Sequence, residues 1–338
     1  MARNRYYHGP PSDHFDGTRF FNPGQPVTDS RLSDVLKWKF GTRPATWPTS
    51  VPIVPAVPEP RVAGLSVTAV GHASLLIQAG GINLLTDPVW SERASPFSFA
   101  GPKRVTAPGV AFDALPRIDA VLLSHNHYDH LDMATLRRLQ ARDRPLMVMP
   151  LGNDTIVRKG VNGARTVAGD WGDRIALPGG AATTLVPANH WSARGTGDRR
   201  MALWAGHWIE TPVGTVYFAG DSGWCGGDIF RDIAAKYGAP DLALLPIGAY
   251  APRWFMAPQH ADPDEAVAMF EALGAAHALG IHWGTFQLTD EAREEPVARL
   301  AAALARRGIE PGRFIAATPG TIYSFLPPAR ETSATIGR

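Results

Sequence analysis

The segment Ser124-His125-Asn126-His127-Tyr128-Asp129-His130-Leu131-Asp132 carries three histidines and one aspartate between positions 125 and 130. It directly follows residues 120–123, a continuous apolar run typical of a strand covered on both faces. It precedes a helical pattern over 132–141, with Asp132 placed to cap it. In extended chain, residues i and i+2 face the same way, so His125 and His127 can bind one cation together. Asp129 and His130 come where the chain turns into the helix, and can aim at a second point nearby. Imidazole and carboxylate suit zinc, and three protein ligands with an open fourth position mark a catalytic site. Burying this much unpaired imidazole and carboxylate behind a core strand would otherwise be costly.

Working outward, further donors stand where strand-like runs end. His190 follows 183–186, Asp221 follows 215–219 and His282 follows 278–281. Glycines beside Asp221 and His282 let backbone approach a ligand closely. Sites in α/β proteins are commonly built at such strand ends. Other β-rich runs are 65–70, 74–78, 82–86, 146–149 and 242–245, and Gly80-Gly81 signals a hairpin. Residues 262–273 read as a helix capped by Asp262, with Pro263 at its first position and Glu265 completing a capping box. Residues 290–307 read as another. His260 lies just before the first of these. Strands with interspersed helices and one long core predict a layered α/β protein.

The 338 residues are 45% hydrophobic and 19% charged, with a net charge of +2, which describes a globular chain. No basic block or acidic tail is present, so no nucleic-acid partner is expected. A single cysteine, Cys225, excludes an internal disulfide. Residues 1–11 have no apolar core of a signal peptide, and no run reaches the roughly 18 apolar residues that span a bilayer. A cytoplasmic protein, at most peripheral at a membrane, is expected. Six prolines from Pro44 to Pro60 predict extended, irregular chain. Residues 1–60 are therefore read as an irregular N-terminal wrap, 61–330 as the main domain and 331–338 as a tail.

The order His125-x-His127-x-Asp129-His130, then His190, Asp221 and His282, resembles the metallo-β-lactamase superfamily. Gly71-His72-Ala73-Ser74, Leu85-Thr86-Asp87-Pro88, Pro246-Ile247-Gly248-Ala249-Tyr250, Gln259-His260 and Ile281-His282-Trp283-Gly284-Thr285-Phe286 make the resemblance closer. They are similar to the N-acylphosphatidylethanolamine-hydrolysing phospholipase D family, over most of the chain from about Phe20. That resemblance implies an αββα four-layer sandwich with a metal cleft along one edge. It implies two zinc ions per chain, one held by His125, His127 and His190, the other by Asp129, His130 and His282, with Asp221 bridging both. It implies a phosphodiesterase whose metal-bridging hydroxide cleaves N-acylphosphatidylethanolamine-like lipids to phosphatidic acid and N-acylethanolamine. The same hydroxide could attack a carbonyl, so a lactone or amide hydrolase is the alternative. Asp129 could orient the hydroxide, and His260 could serve the leaving alkoxide as an acid or stabiliser. Tyr128 and Arg194 could meet the substrate, and His72 and Asp87 could orient ligands. The resemblance also suggests a homodimer. The segment after Pro150, apolar in the family's membrane members, is polar here.

Overall fold

The computed structural model describes residues 3–25, 28–29 and 32–325. The 331–338 tail lies outside them. One sheet holds β1 (Leu65–Gly71), β2 (Ser74–Ala79), β3 (Ile82–Thr86), β4 (Ala120–Leu122), β5 (Leu146–Pro150) and β6 (Arg165–Gly169) in chain order. The other holds β7 (Arg174–Ala176), β8 (Ala182–Val186), β9 (Gly206–Thr211), β10 (Gly214–Phe218), β11 (Leu242–Pro246), β12 (His277–Ile281) and β13 (Phe314–Ala316). A last strand, β14 (Ile322–Phe325), returns to the first sheet and pairs antiparallel with β1, Leu65 opposite Phe325. Among the described residues, each sheet thus contains seven strands in nearly sequential order.

Period-two alternation explains the layers. Leu75, Ile77, Leu84 and Leu122 point between the sheets, where they meet Ile209, Val216, Phe218, Leu244 and Leu279. Their neighbours Leu76, Leu85 and Val121 point the other way, onto α2 (Met133–Arg142) and α3 (Asn153–Gly160), through Leu136, Leu139 and Val157. On the far side, Trp208, Tyr217, Ala243 and Leu245 meet α4 (Asp228–Tyr237), α6 (Pro263–Leu273) and α7 (Glu295–Arg306). The result is the expected αββα sandwich.

Local sequence accounts for the helix ends. Asp132 caps α2 by accepting from Ala134 N, and Asp262 and Glu265 form the expected capping box on α6. The Gly80-Gly81 turn joins β2 to β3 with positive φ at both glycines. Two expectations need correction. Residues 290–294 are not helical: α7 starts at Glu295, followed by Pro296, whose missing N–H suits a first turn. The N-terminal segment is not wholly irregular, because α1 (Leu32–Gly41) lies within it. Its apolar residues make no single stripe: Trp38 is buried while Leu36 and Phe40 face solvent. The one-turn α5 (Arg253–Met256) was likewise not anticipated. Among the described residues, no helix is long and apolar enough to cross a membrane.

Candidate metal centre

The donors converge on one edge of the sandwich because strand ends deliver them there. After β4, Ser124 is held by its N and Oγ, which donate to the Asp87 carboxylate at 2.7 and 2.5 Å. The chain then turns at His127, whose carbonyl accepts from His130 N and Leu131 N. Asp87 directly follows β3, and Asp221 follows β10 through Gly220. A Cβ at Gly220 would meet Ser124 Cβ at 2.5 Å, so only glycine lets this loop lie against the His125 segment. Gly248 plays the same part beside His282, where a Cβ would fall 2.3 Å from the His282 carbonyl oxygen.

Hydrogen bonds on one side of several rings fix which nitrogen faces inward. His190 donates from Nδ1 to the Gln259 carbonyl (3.0 Å), and His130 from Nδ1 to Asp87 Oδ2 (2.7 Å). His125 Nδ1 meets Ser124 Oγ at 2.9 Å. The inward atoms form two groups. His125 Nε2 and His190 Nε2 lie 2.9 and 3.2 Å from His127 Nδ1. Asp129 Oδ2 lies 3.4 Å from His130 Nε2 and 3.3 Å from His282 Nε2. Asp221 Oδ2 stands between the groups: 3.1 Å from His130 Nε2, 3.2 Å from His282 Nε2, 3.7 Å from His190 Nε2 and 3.9 Å from His125 Nε2.

These residues fit a cation better than they fit each other. One proton can sit between two of the clustered nitrogens, whereas a cation accepts lone pairs from all three. His130 Nε2, Asp221 Oδ1 and His260 Nδ1 are buried with no hydrogen-bond partner, an arrangement that costs free energy unless something else binds them. Imidazole nitrogens with two carboxylates form a borderline donor set that suits zinc.

The charge balance points the same way. Burial opposes charge on His130, but Asp221 and Asp129 hold its pKa well above the ordinary value. His282 is lifted to about 9 against burial by Asp221 and Asp129. Both carboxylates stay well below their usual range despite burial, because these imidazoliums face them. Burial and neighbouring imidazoles hold His125 well below its ordinary value, and burial pushes His127, His190 and His260 down to about 3. Without a cation, two protonated rings balance two carboxylates; bound dications would displace those protons.

A pH dependence follows for the metal-free protein. A raised imidazole stabilises the fold fully below 6.5, and that contribution is lost as pH climbs towards about 9 for His282. Depressed imidazoles act oppositely: folding expels protons the unfolded chain would hold, so stability falls as pH drops from 6.5 towards about 3. Chelated protein is expected to melt highest near neutrality and to lose thermal stability on both sides. Zinc should flatten the alkaline side. Calorimetric scans across the range would expose the error if the chelated protein grew steadily more stable up to pH 9.

The remaining residues sort by position. His260 lies over the centre, its Nδ1 3.9 Å from Asp221 Oδ2. His72 donates from Nε2 to Asp129 Oδ2 (2.9 Å), and its ring lies 3.8 Å from that of His282. With His130, these residues form a four-residue donor cluster, in which His72 holds the Asp129 carboxylate by that hydrogen bond. Tyr128 lines the cleft above the metal loop, its hydroxyl donating to the Arg194 carbonyl. Arg194 is placed differently from expectation. Its Nη1 donates to the carbonyls of Asn126 and Leu131, and its guanidinium covers the Tyr128 ring. It braces the metal loop from behind and borders a neighbouring cavity, not the cleft over the donors. Trp191 and Gln259, joined by a 2.6 Å hydrogen bond, border the cleft and were missed. Gln259 adjoins His260 in the quoted motif and could have been suspected from it.

Residues 82–283 match the family model described as the beta-lactamase superfamily domain. A Caenorhabditis elegans protein named N-acyl-phosphatidylethanolamine-hydrolyzing phospholipase D 1 is 37% identical over 270 residues, 77% of this chain and 76% of the relative. The chain belongs to the metallo-β-lactamase superfamily and, within it, to the N-acylphosphatidylethanolamine-hydrolysing phospholipase D family. It is therefore a metal-dependent hydrolase. An uncharacterised Mycobacterium tuberculosis protein is 41% identical to this hydrolase over 244 residues, 71% of this chain and 64% of the relative. Among solved structures, an isothiocyanate hydrolase from Delia radicum gut bacteria superposes with a TM-score of 0.60 at 22% identity, covering 77% of this chain and 99% of that one. That likeness extends to the fold.

Proposed function

We propose that this hydrolase is a two-zinc phosphodiesterase of phospholipase D type, acting on N-acylphosphatidylethanolamine-like substrates. One observation carries the reading: Asp221 Oδ2 stands between two groups of inward-facing donors. His125, His127 and His190 would hold one zinc, Asp129, His130 and His282 the other, and Asp221 would face both. Bound there, the pair supplies Lewis acidity towards phosphoryl oxygens and a water of lowered pKa.

The chain's own groups do the rest. The Asp129 carboxylate, fixed at Oδ2 by His72, can accept a hydrogen bond from the attacking water and orient it. Water oxygen ends on phosphorus, the bond from phosphorus to the N-acylethanolamine oxygen breaks, and a proton ends on that oxygen. His260 lies over the centre with Nδ1 unpartnered; held neutral by burial, it can donate a hydrogen bond to the leaving oxygen, while the proton that ends there comes from the attacking water. Tyr128 and Trp191 border the cleft and limit water around the reacting group.

A screen of zinc-replete protein against N-acylglycerophosphoethanolamines, N-acylphosphatidylethanolamines and lactones, with products identified by mass, tests the reading. N-acylethanolamine release is expected. Turnover of lactones alone would transfer the site to carbonyl chemistry.

A further inference from the structure

The cleft over the donors has a polar floor and apolar walls. His127, Asp129, Asp221 and His260 lie below; Trp38, Trp191, Phe255, Met256 and Leu288 stand around them. Trp191 and Leu288 come from loops near the donors and Phe255 and Met256 from α5, but Trp38 comes from α1. Its indole is 8% exposed and lies 5.1 Å from the Phe255 ring.

Two consecutive carboxylates hold the walls in place. Asp290 Oδ2 accepts from Trp38 Nε1 (2.8 Å) and Thr42 Oγ1 (2.6 Å), and the Asp290 carbonyl accepts from Ala45 N (2.9 Å). Glu291, buried, accepts from Ala249 N (2.7 Å) and Ala251 N (3.1 Å), and Ala249 lines the same cleft. One residue therefore tethers α1 and the next tethers the 249–251 loop that leads into α5, so both segments are fixed beside the cleft. A charge-assisted acceptor shared by two donors gives the indole a fixed orientation.

The volume matters. The cleft measures about 310 Å³, at the lower end of the roughly 300–1,000 Å³ of small-molecule sites. Two cations and a phosphoryl group must share it. What is left beside the donors is narrow, and because the cleft is open on its outer side the wall acts on the part of a substrate nearest the metals.

We propose that Trp38 sets the acyl length this enzyme accepts, narrowing the cleft against long chains, with Asp290 as the residue that positions it. The substrate class is then an N-acyl phosphodiester with a short acyl group. The head of that substrate rests on the phosphodiesterase reading above; the length selection rests on the wall alone.

The test compares zinc-loaded full-length proteins on N-butanoyl- and N-hexadecanoyl-glycerophosphoethanolamine. Wild type should favour the butanoyl substrate by about tenfold or more in kcat/KM. Trp38→Ala should erase that preference by improving the long substrate, while Trp38→Phe, which keeps an aromatic wall, should retain it. Asp290→Ala should lose the preference mainly through KM, and Asp290→Asn, which keeps an acceptor, should recover it. If Trp38→Ala does not fold, Asp290→Ala reads the same ratio with the indole present. An unchanged ratio, or equal losses on both substrates, overturns the proposal. Calorimetric binding of butylphosphonate and dodecylphosphonate separates the two readings. If neither phosphodiester is cleaved but the phosphonates rank as expected and Trp38→Ala levels them, the phosphodiesterase reading falls and the wall stands. If they do not rank, the wall falls.

Discussion

Asp221→Asn is expected to reduce bound zinc from two ions per chain to at most one, and kcat/KM by about 10³-fold or more. The side chain is buried, and its Oδ2 lies within 4 Å of nitrogens from both donor groups. Asparagine has nearly the same shape, so the loop after β10 should keep its course. What changes is charge: an amide oxygen is a weaker ligand, and the amide nitrogen donates where a cation needs a lone pair. His130 and His282 would also lose the main anion that sustains their protonated forms, so the metal-free variant should show a weaker alkaline loss of stability than wild type. Elemental analysis of folded protein is the direct measurement. Two zinc ions per chain with activity within tenfold of wild type would remove Asp221 from between the metals.

His260→Ala should leave both ions bound and lower kcat by about 10² to 10⁴, the usual range for a group that transfers or stabilises a proton in the transition state. Its ring reaches the cleft from the loop before α6, and Nδ1 has no protein partner. KM should move little, because a contact made chiefly as charge develops on the leaving oxygen adds little to ground-state binding. His260 also belongs to a donor cluster with His190 and Asp221, which makes zinc content the deciding control. Loss of one ion would turn His260 into a ligand. Full activity would leave it as a packing residue.

Much of the site could be read from sequence because one chemical demand repeats. His125 and His127 share a face only if the chain after β4 stays extended, and the apolar run at 120–123 announces that strand. His190, Asp221 and His282 each follow a β-rich run, so their convergence is a property of strand ends. The capping box on α6 was equally plain, because Asp262, Pro263 and Glu265 satisfy backbone donors locally. What was hidden depends on distant partners. Short, half-exposed strands such as β6 and β7 have too few buried positions to show a period. Helix α1 gave no amphipathic signal, since Leu36 and Phe40 face solvent while Trp38 turns inward to Asp290, some 250 residues away. Arg194 was a residue that could meet the substrate. In the fold its guanidinium is taken up by two carbonyls and an aromatic face, a disposition that sequence spacing cannot reveal.

The antiparallel pairing of β14 with β1 bears on how the chain is made. During translation β1 leaves the ribosome early and pairs with β2 on one side, while its other edge waits for a strand specified far downstream. Until Ile322–Phe325 emerges, a nascent chain carries a row of unsatisfied amides and carbonyls along Leu65–Thr68. Such late, long-range closure slows folding and leaves a template for pairing with other chains. Ribosome stalling or premature termination upstream of β14 would therefore release a species prone to aggregate, even with every metal-binding side chain already synthesised.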